Sequence, residues 1–211
     1  MNYSSILAAL IKGTILFVQN AWGSIQHPYE TYRKLSEGKN LVQAVPIFLL
    51  CLIYFGWTTL IHVGLRGHPL LISFNFFKIT VAAVVTFGVV TLALVGVGRA
   101  FGGRGTVKSV VLPWTYALRP TLVWFFMTSL LWLLFPPPRT LEVSGKALSF
   151  TFLVFSWFLF FWKGVLYYLT LRFGMRLTFL RILGVSLIIF PLGFLYSILM
   201  YRLGVFRVPF L

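Results

Sequence analysis

Few residues of this chain could do chemistry, and most of them stand apart. The acids are Glu30, Glu37 and Glu142, the histidines are His27, His62 and His68, and Cys51 is the only thiol. Proton- or sodium-coupled carriers place an Asp, Glu or His inside the membrane, and none of the three glutamates falls within an apolar run. His62 and His68 flank one short loop, which offers no paired ligand set for zinc or haem. A lone cysteine forms no internal disulfide and no thiolate cluster. No Ser-His-Asp or Cys-His arrangement can be assembled. The expectation is therefore a non-enzymatic chain with no catalytic residue, no cofactor and no metal.

Three features remain. Lys163 lies inside an apolar run and is the candidate intramembrane polar residue, against the alternative that its long stem snorkels to the interface. The GGRG of residues 102–105 suggests a phosphate cradle, but it lacks the Lys-Ser/Thr ending of a P-loop and follows no strand. A basic turn near lipid headgroups is the simpler reading. Pro191 removes a backbone donor in mid-run and predicts a kink, and secondarily a hinge.

The elements that must position these residues are membrane spans. Five charge-poor runs are each about long enough, at 1.5 Å per residue, to cross about 30 Å of hydrocarbon. They are placed at residues 45–63, 79–97, 116–135, 147–171 and 182–201. The fold class expected is all-α, a polytopic membrane protein, with residues 45–211 as the membrane domain. Three prolines at positions 136–138 stop the third run. Gly88 and Gly96 share one helical face, and Gly193 and Ser197 form a small-xxx-small pair beside Pro191. Small residues let helices approach closely in lipid, so these five are the candidates for helix packing or a hinge.

Residues 1–44 read as an N-terminal cytoplasmic or interfacial segment. Apolar residues recur near helical spacing over 3–19, with Lys12 and Gln19 mostly opposite them, which predicts an amphipathic surface helix. A signal peptide is the alternative, and it lacks a basic start and a clear cleavage site. A second surface helix follows, with Pro28 at its first position, Gly38 at its end and Glu30 paired to Lys34 at i,i+4. Trp22, Tyr29 and Tyr32 are expected at headgroup depth.

The net charge is +15. With the N-terminus inside, twelve of the 18 Lys and Arg residues fall on the cytoplasmic side and six opposite, which favours N-in and C-out. Such a basic balance in a soluble chain would suggest nucleic acid; here it suggests anionic headgroups. Arg33, Lys34, Arg99, Arg104, Lys108, Arg172 and Arg176 are the candidate headgroup contacts.

Several short motifs carry a resemblance. HPYETYRKL at 27–35 resembles the lead-in of bacterial Yip-family proteins, named for interaction with Ypt/Rab GTPases. The connection at 98–108 followed by LPWTYALRP at 112–120 is similar to that family's glycine-rich segment, and 162–181 to the segment before its last helix. The resemblance spans about residues 22–201. It implies a five-helix membrane domain with a cytoplasmic N-terminus, in bacteria an inner-membrane accessory subunit, in some cases beside ABC-type exporters. Eukaryotic members imply vesicle traffic and Rab binding, but the DLYGP-type motif and long acidic N-terminal region of those members are missing here.

Three functional readings follow. The leading one is an integral membrane adaptor or accessory subunit, with the anionic bilayer and other membrane subunits as partners. The second is passive transport or lipid handling along a polar path past Lys163, Thr86, Ser186 and Pro191. The third is a trafficking factor of the Rab-linked kind if the chain is eukaryotic. A membrane enzyme acting on lipid would need polar residues clustered at one depth, and none can be assembled.

Overall fold

The computed structural model describes residues 3–38, 40–63, 68–135 and 143–205. Lys39, Arg66, the prolines at 136–138, Arg139, Glu142 and Arg207 lie outside the described residues, as does the side chain of His62. Every regular element among the described residues is helical. In chain order these are α1 (Tyr3–Gln26), α2 (Pro28–Glu37), a 3-10 turn (Leu41–Ala44), α3 (Val45–Val63), α4 (Pro69–Ala100), α5 (Val107–Tyr116), α6 (Arg119–Leu134), α7 (Val143–Leu169) with a π turn at its end (Thr170–Gly174), and α8 (Phe179–Arg202).

Among the described residues four helices are long and apolar enough to cross a membrane: Leu41–Ile61, Leu70–Ala100, Gly145–Gly174 and Phe179–Arg202. They leave large side chains such as Leu180 and Leu187 open to their surroundings. Apolar exposure on this scale suits a hydrocarbon solvent, where a helix satisfies its own backbone and has no need to hide its side chains. The third expected span is the shorter one. Tyr116 belongs to α5, so α6 begins only at Arg119 and its 16 residues reach about 24 Å.

Other boundaries shift for local reasons. The second span was expected to begin at residue 79, yet α4 starts ten residues earlier, with Pro69 at its first position and the His68 ring accepting the Leu70 N–H. Lys78, which marks the expected edge, donates to the Gly204 carbonyl at 2.7 Å. The start of α4 and the end of α8 therefore lie at one end of the molecule. Pro191 sits within α8, which remains helical on both sides of it.

At the other end α5 is the hub. Thr106 and Ser109 close a capping box, satisfying two donors at its start. Its Leu112 and Tyr116 pack with Tyr32 and Leu35 of α2 and Leu166 of α7. Its Val110 packs instead with Leu94 of α4, with Met175 just after the π turn and with Val185 of α8. The helix that follows the glycine-rich connection thus joins two hydrophobic clusters.

Candidate functional site

Several basic residues gather where α2, α5 and the end of α7 meet. Gly105 carries the chain onto the π turn: a Cβ there would collide with the Gly174 carbonyl and with Met175. A Cβ on Gly103 would meet the Gly98 carbonyl at 2.6 Å. Gly103 and Gly105 of the GGRG segment therefore serve close backbone packing, while Gly102 supplies a left-handed turn at φ 81°. The Arg104 N–H donates to the Met175 carbonyl at 3.0 Å and the Ser109 hydroxyl to the Gly174 carbonyl at 2.7 Å. Arg176 holds a left-handed backbone conformation at φ 57°, which is uncommon for a residue with a Cβ and fixes where its side chain leaves the turn.

This packing brings four arginines around one cavity of about 270 Å³: Arg33 from α2, Arg104 before α5, Arg172 from the π turn, and Arg176 after it. Glu37 is the one carboxylate on its wall, 3.6 Å from the Arg33 Nε. That pair, and not the expected Glu30–Lys34, is the ion pair formed within α2 among the described residues. Arg172 is partly committed, donating to the Leu177 carbonyl at 3.0 Å. Four guanidinium groups against one carboxylate leave a net positive cavity, suited to planar, bidentate recognition of phosphate or carboxylate.

Of the seven expected headgroup contacts, the fold therefore joins four. Arg99 lies beside them, its Nε donating to the Gly105 carbonyl at 3.4 Å. Lys34 and Lys108 are exposed and do not line the cavity. The helix-packing candidates fare differently. A Cβ on Gly88, Gly96 or Gly193 would meet no atom within 4 Å, so these glycines bring no helices of this chain together. Close approach occurs instead at Gly98 and Gly184, against Met175 and Phe101. Ser197 is buried within the bundle. Lys163 turns inward, with its ammonium donating to the Thr121 hydroxyl at 2.7 Å.

A second polar junction has no counterpart in the sequence reading beyond the count of Arg119 as a loop cation. The Arg119 guanidinium donates to the Ala21 carbonyl at 2.7 Å, to the Ser24 hydroxyl, and to the Tyr116 carbonyl at 3.2 Å. Asn20 donates to Gln43 at 2.7 Å beside it. Tyr32, expected at the headgroups, is instead completely buried here. Burial pushes its phenol well above the ordinary range, with the neighbouring Arg119 cation pulling the other way. Yet no donor or acceptor reaches the Tyr32 hydroxyl at hydrogen-bonding geometry. Arg119 pins the N-terminal helices to the rest, a structural role.

The family model described as the Yip1 domain matches residues 22–201. The chain belongs to the Yip1 domain family. The match runs from the end of α1 through α8 and takes in all four cavity arginines, Arg119 and Lys163. No curated protein and no solved structure matches the chain. As a Yip1 domain with several apolar helices, it is an integral membrane protein.

Proposed function

We propose that this Yip1 domain is a non-enzymatic membrane adaptor or accessory subunit whose cytoplasmic platform holds anionic groups. The observation that carries the reading is the convergence of Arg33, Arg104, Arg172 and Arg176 on one cavity. Bilayer headgroups and acidic segments of neighbouring subunits both supply the matching charge, and an ABC-type exporter is the kind of complex the family resemblance suggests. In this reading α6 is the fifth span, the arginine-rich end is cytoplasmic, and α1 and α2 rest at the interface of a bacterial inner membrane. Exposed Leu7, Ile11, Ile15 and Trp22 on α1 support that placement.

Purification in several mild detergents, followed by mass spectrometry of retained subunits and phospholipids, tests the proposal. The native chain should keep partner subunits, and Arg104→Gln with Arg176→Gln should shed them. A lone monomer in every detergent contradicts the adaptor role.

Passive lipid handling is a second reading, favoured by the hydroxyl pairs Thr86–Tyr196 at 2.8 Å and Tyr167–Ser186 at 3.1 Å near Lys163. Scrambling by the purified chain in liposomes, with Lys163→Leu as control, tests it; no flux contradicts it.

A further inference from the structure

A cavity of about 1060 Å³ lies among α4, α6, α7 and α8, well apart from the arginine cluster in its lining. Its size is at the upper end of small-molecule pockets, about 300–1,000 Å³. Its walls are aromatic and aliphatic, with Trp124, Phe152, Trp157 and Phe190 among them. Along α7 its lining runs from Ser149 to Tyr167, and the part between Ser149 and Lys163 covers about 21 Å at the helical rise, the length of an extended long acyl chain.

Lys163 stands about one turn before Tyr167, the last α7 residue of this lining. An ammonium has three donors, and the Thr121 hydroxyl takes one of them. No carboxylate among the described residues faces it, because Glu30 and Glu37 both belong to α2. Several other polar groups of the wall are engaged: Trp124 donates to Ser156 at 2.9 Å, Ser156 to the Phe152 carbonyl, and Tyr167 pairs with Ser186. Arg119, two residues from Thr121, is turned away toward Ala21 and Ser24. The cavity is thus an apolar trough with a single cation in its wall, two of whose donors have no partner among the described residues.

We infer that this trough binds one anionic amphiphile, with its acyl chain along α7 and its anionic head on Lys163. A long-chain carboxylate and an anionic phospholipid share that chemistry. The inference concerns equilibrium binding and requires no transport; it also stands independently of the arginine cavity.

Tryptophans in the wall supply the readout. The full chain in nonionic detergent is titrated with dibromostearate, with its uncharged methyl ester, and with dibrominated phosphatidylglycerol and phosphatidylcholine, following quenching of tryptophan fluorescence. Saturable quenching by dibromostearate or dibrominated phosphatidylglycerol, at least about tenfold tighter than by its uncharged or zwitterionic counterpart, is expected. Which of the two saturates at lower concentration identifies the source. Lys163→Gln should remove that preference and Lys163→Arg should keep it. Gly164 lines the trough and a Cβ there meets nothing within 4 Å. Gly164→Leu should therefore fill the trough and abolish quenching by every probe while the melting temperature holds. Equal quenching by charged and uncharged probes in the native chain, no saturable quenching at all, or an unchanged titration in Gly164→Leu would overturn the inference.

Discussion

The Arg119 guanidinium donates to the Ala21 carbonyl at 2.7 Å, tying the first turn of α6 to the end of α1, 98 residues earlier. The same side chain reaches Ser24 and the Tyr116 carbonyl, so one residue holds α1, α5 and α6 in register. Hydrogen bonds to a charged donor contribute about 1.5–3 kcal/mol each where water is excluded. Because Arg119 is only half-buried, Arg119→Ala should cost about 2–4 kcal/mol in all. The expected result is a lower melting temperature in detergent and faster tryptic cleavage after Arg33 and Lys34. Arg119→Lys should not rescue it, because an ammonium cannot span three acceptors arranged for a planar fork.

Tyr32 makes the opposite prediction. Its hydroxyl is buried and without a hydrogen-bond partner, so Tyr32→Phe should leave stability unchanged or raise it by about 1 kcal/mol. Burial raises the folded-state pKa of the phenol, so the folded chain keeps this proton at a pH where the unfolded chain has lost it. The associated stability is complete below the ordinary phenol pKa of about 10 and falls as pH rises above it. Native and Tyr32→Phe melting temperatures measured from pH 8 to 11 should diverge at the alkaline end, with the variant holding the higher value.

What was legible in the sequence was what depends on near neighbours along the chain. Four of the apolar runs, Pro28 opening α2 and Gly38 closing it are local properties, and each appears in the fold. What escaped depends on distant partners. VKSVVLPWTY of α5 looks like a surface connection until α2, α4 and α7 bury Val110, Leu112 and Tyr116. Lys78 looks like the end of a span until the Gly204 carbonyl, far along the chain, accepts from it. The positive charges were visible, but the meeting of Arg33 with Arg104, Arg172 and Arg176 is set by glycine contacts at positions 105 and 174 that no spacing rule reveals.

Those glycines provide a paired test. Gly105→Ala drives a methyl group into the backbone of the π turn, which cannot step aside as a flexible side chain would. It should destabilise by about 3 kcal/mol and scatter the arginines of the cavity. Gly88→Ala meets open space and should instead stabilise the isolated chain by about 0.5–1 kcal/mol. Thermal melts of both variants check the contrast. If Gly88 faces a partner subunit, Gly88→Leu should also release that subunit while the melt of the chain alone is unaffected.

Orientation is open to labelling. In a Cys51→Ala background, Lys34→Cys and Lys146→Cys place single thiols on exposed residues of α2 and α7. With five spans, a membrane-impermeant maleimide should reach the first only from the cytoplasmic side and the second only from the other side. Labelling of both from the same side would contradict the odd span number.

The arginine cavity is the centre of the proposed function, and anion retention measures it most directly. The native chain and a variant with Arg33, Arg104, Arg172 and Arg176 all changed to Gln are equilibrated in nonionic micelles carrying phosphatidylglycerol or phosphatidylcholine, and bound lipid is counted at low and high salt. In a Lys163→Gln background, which removes the cation of the apolar trough, the four-arginine chain should retain phosphatidylglycerol preferentially at low salt and lose it at high salt, and the glutamine variant should lose most of that preference. Equal retention of the two lipids by both chains would contradict the account.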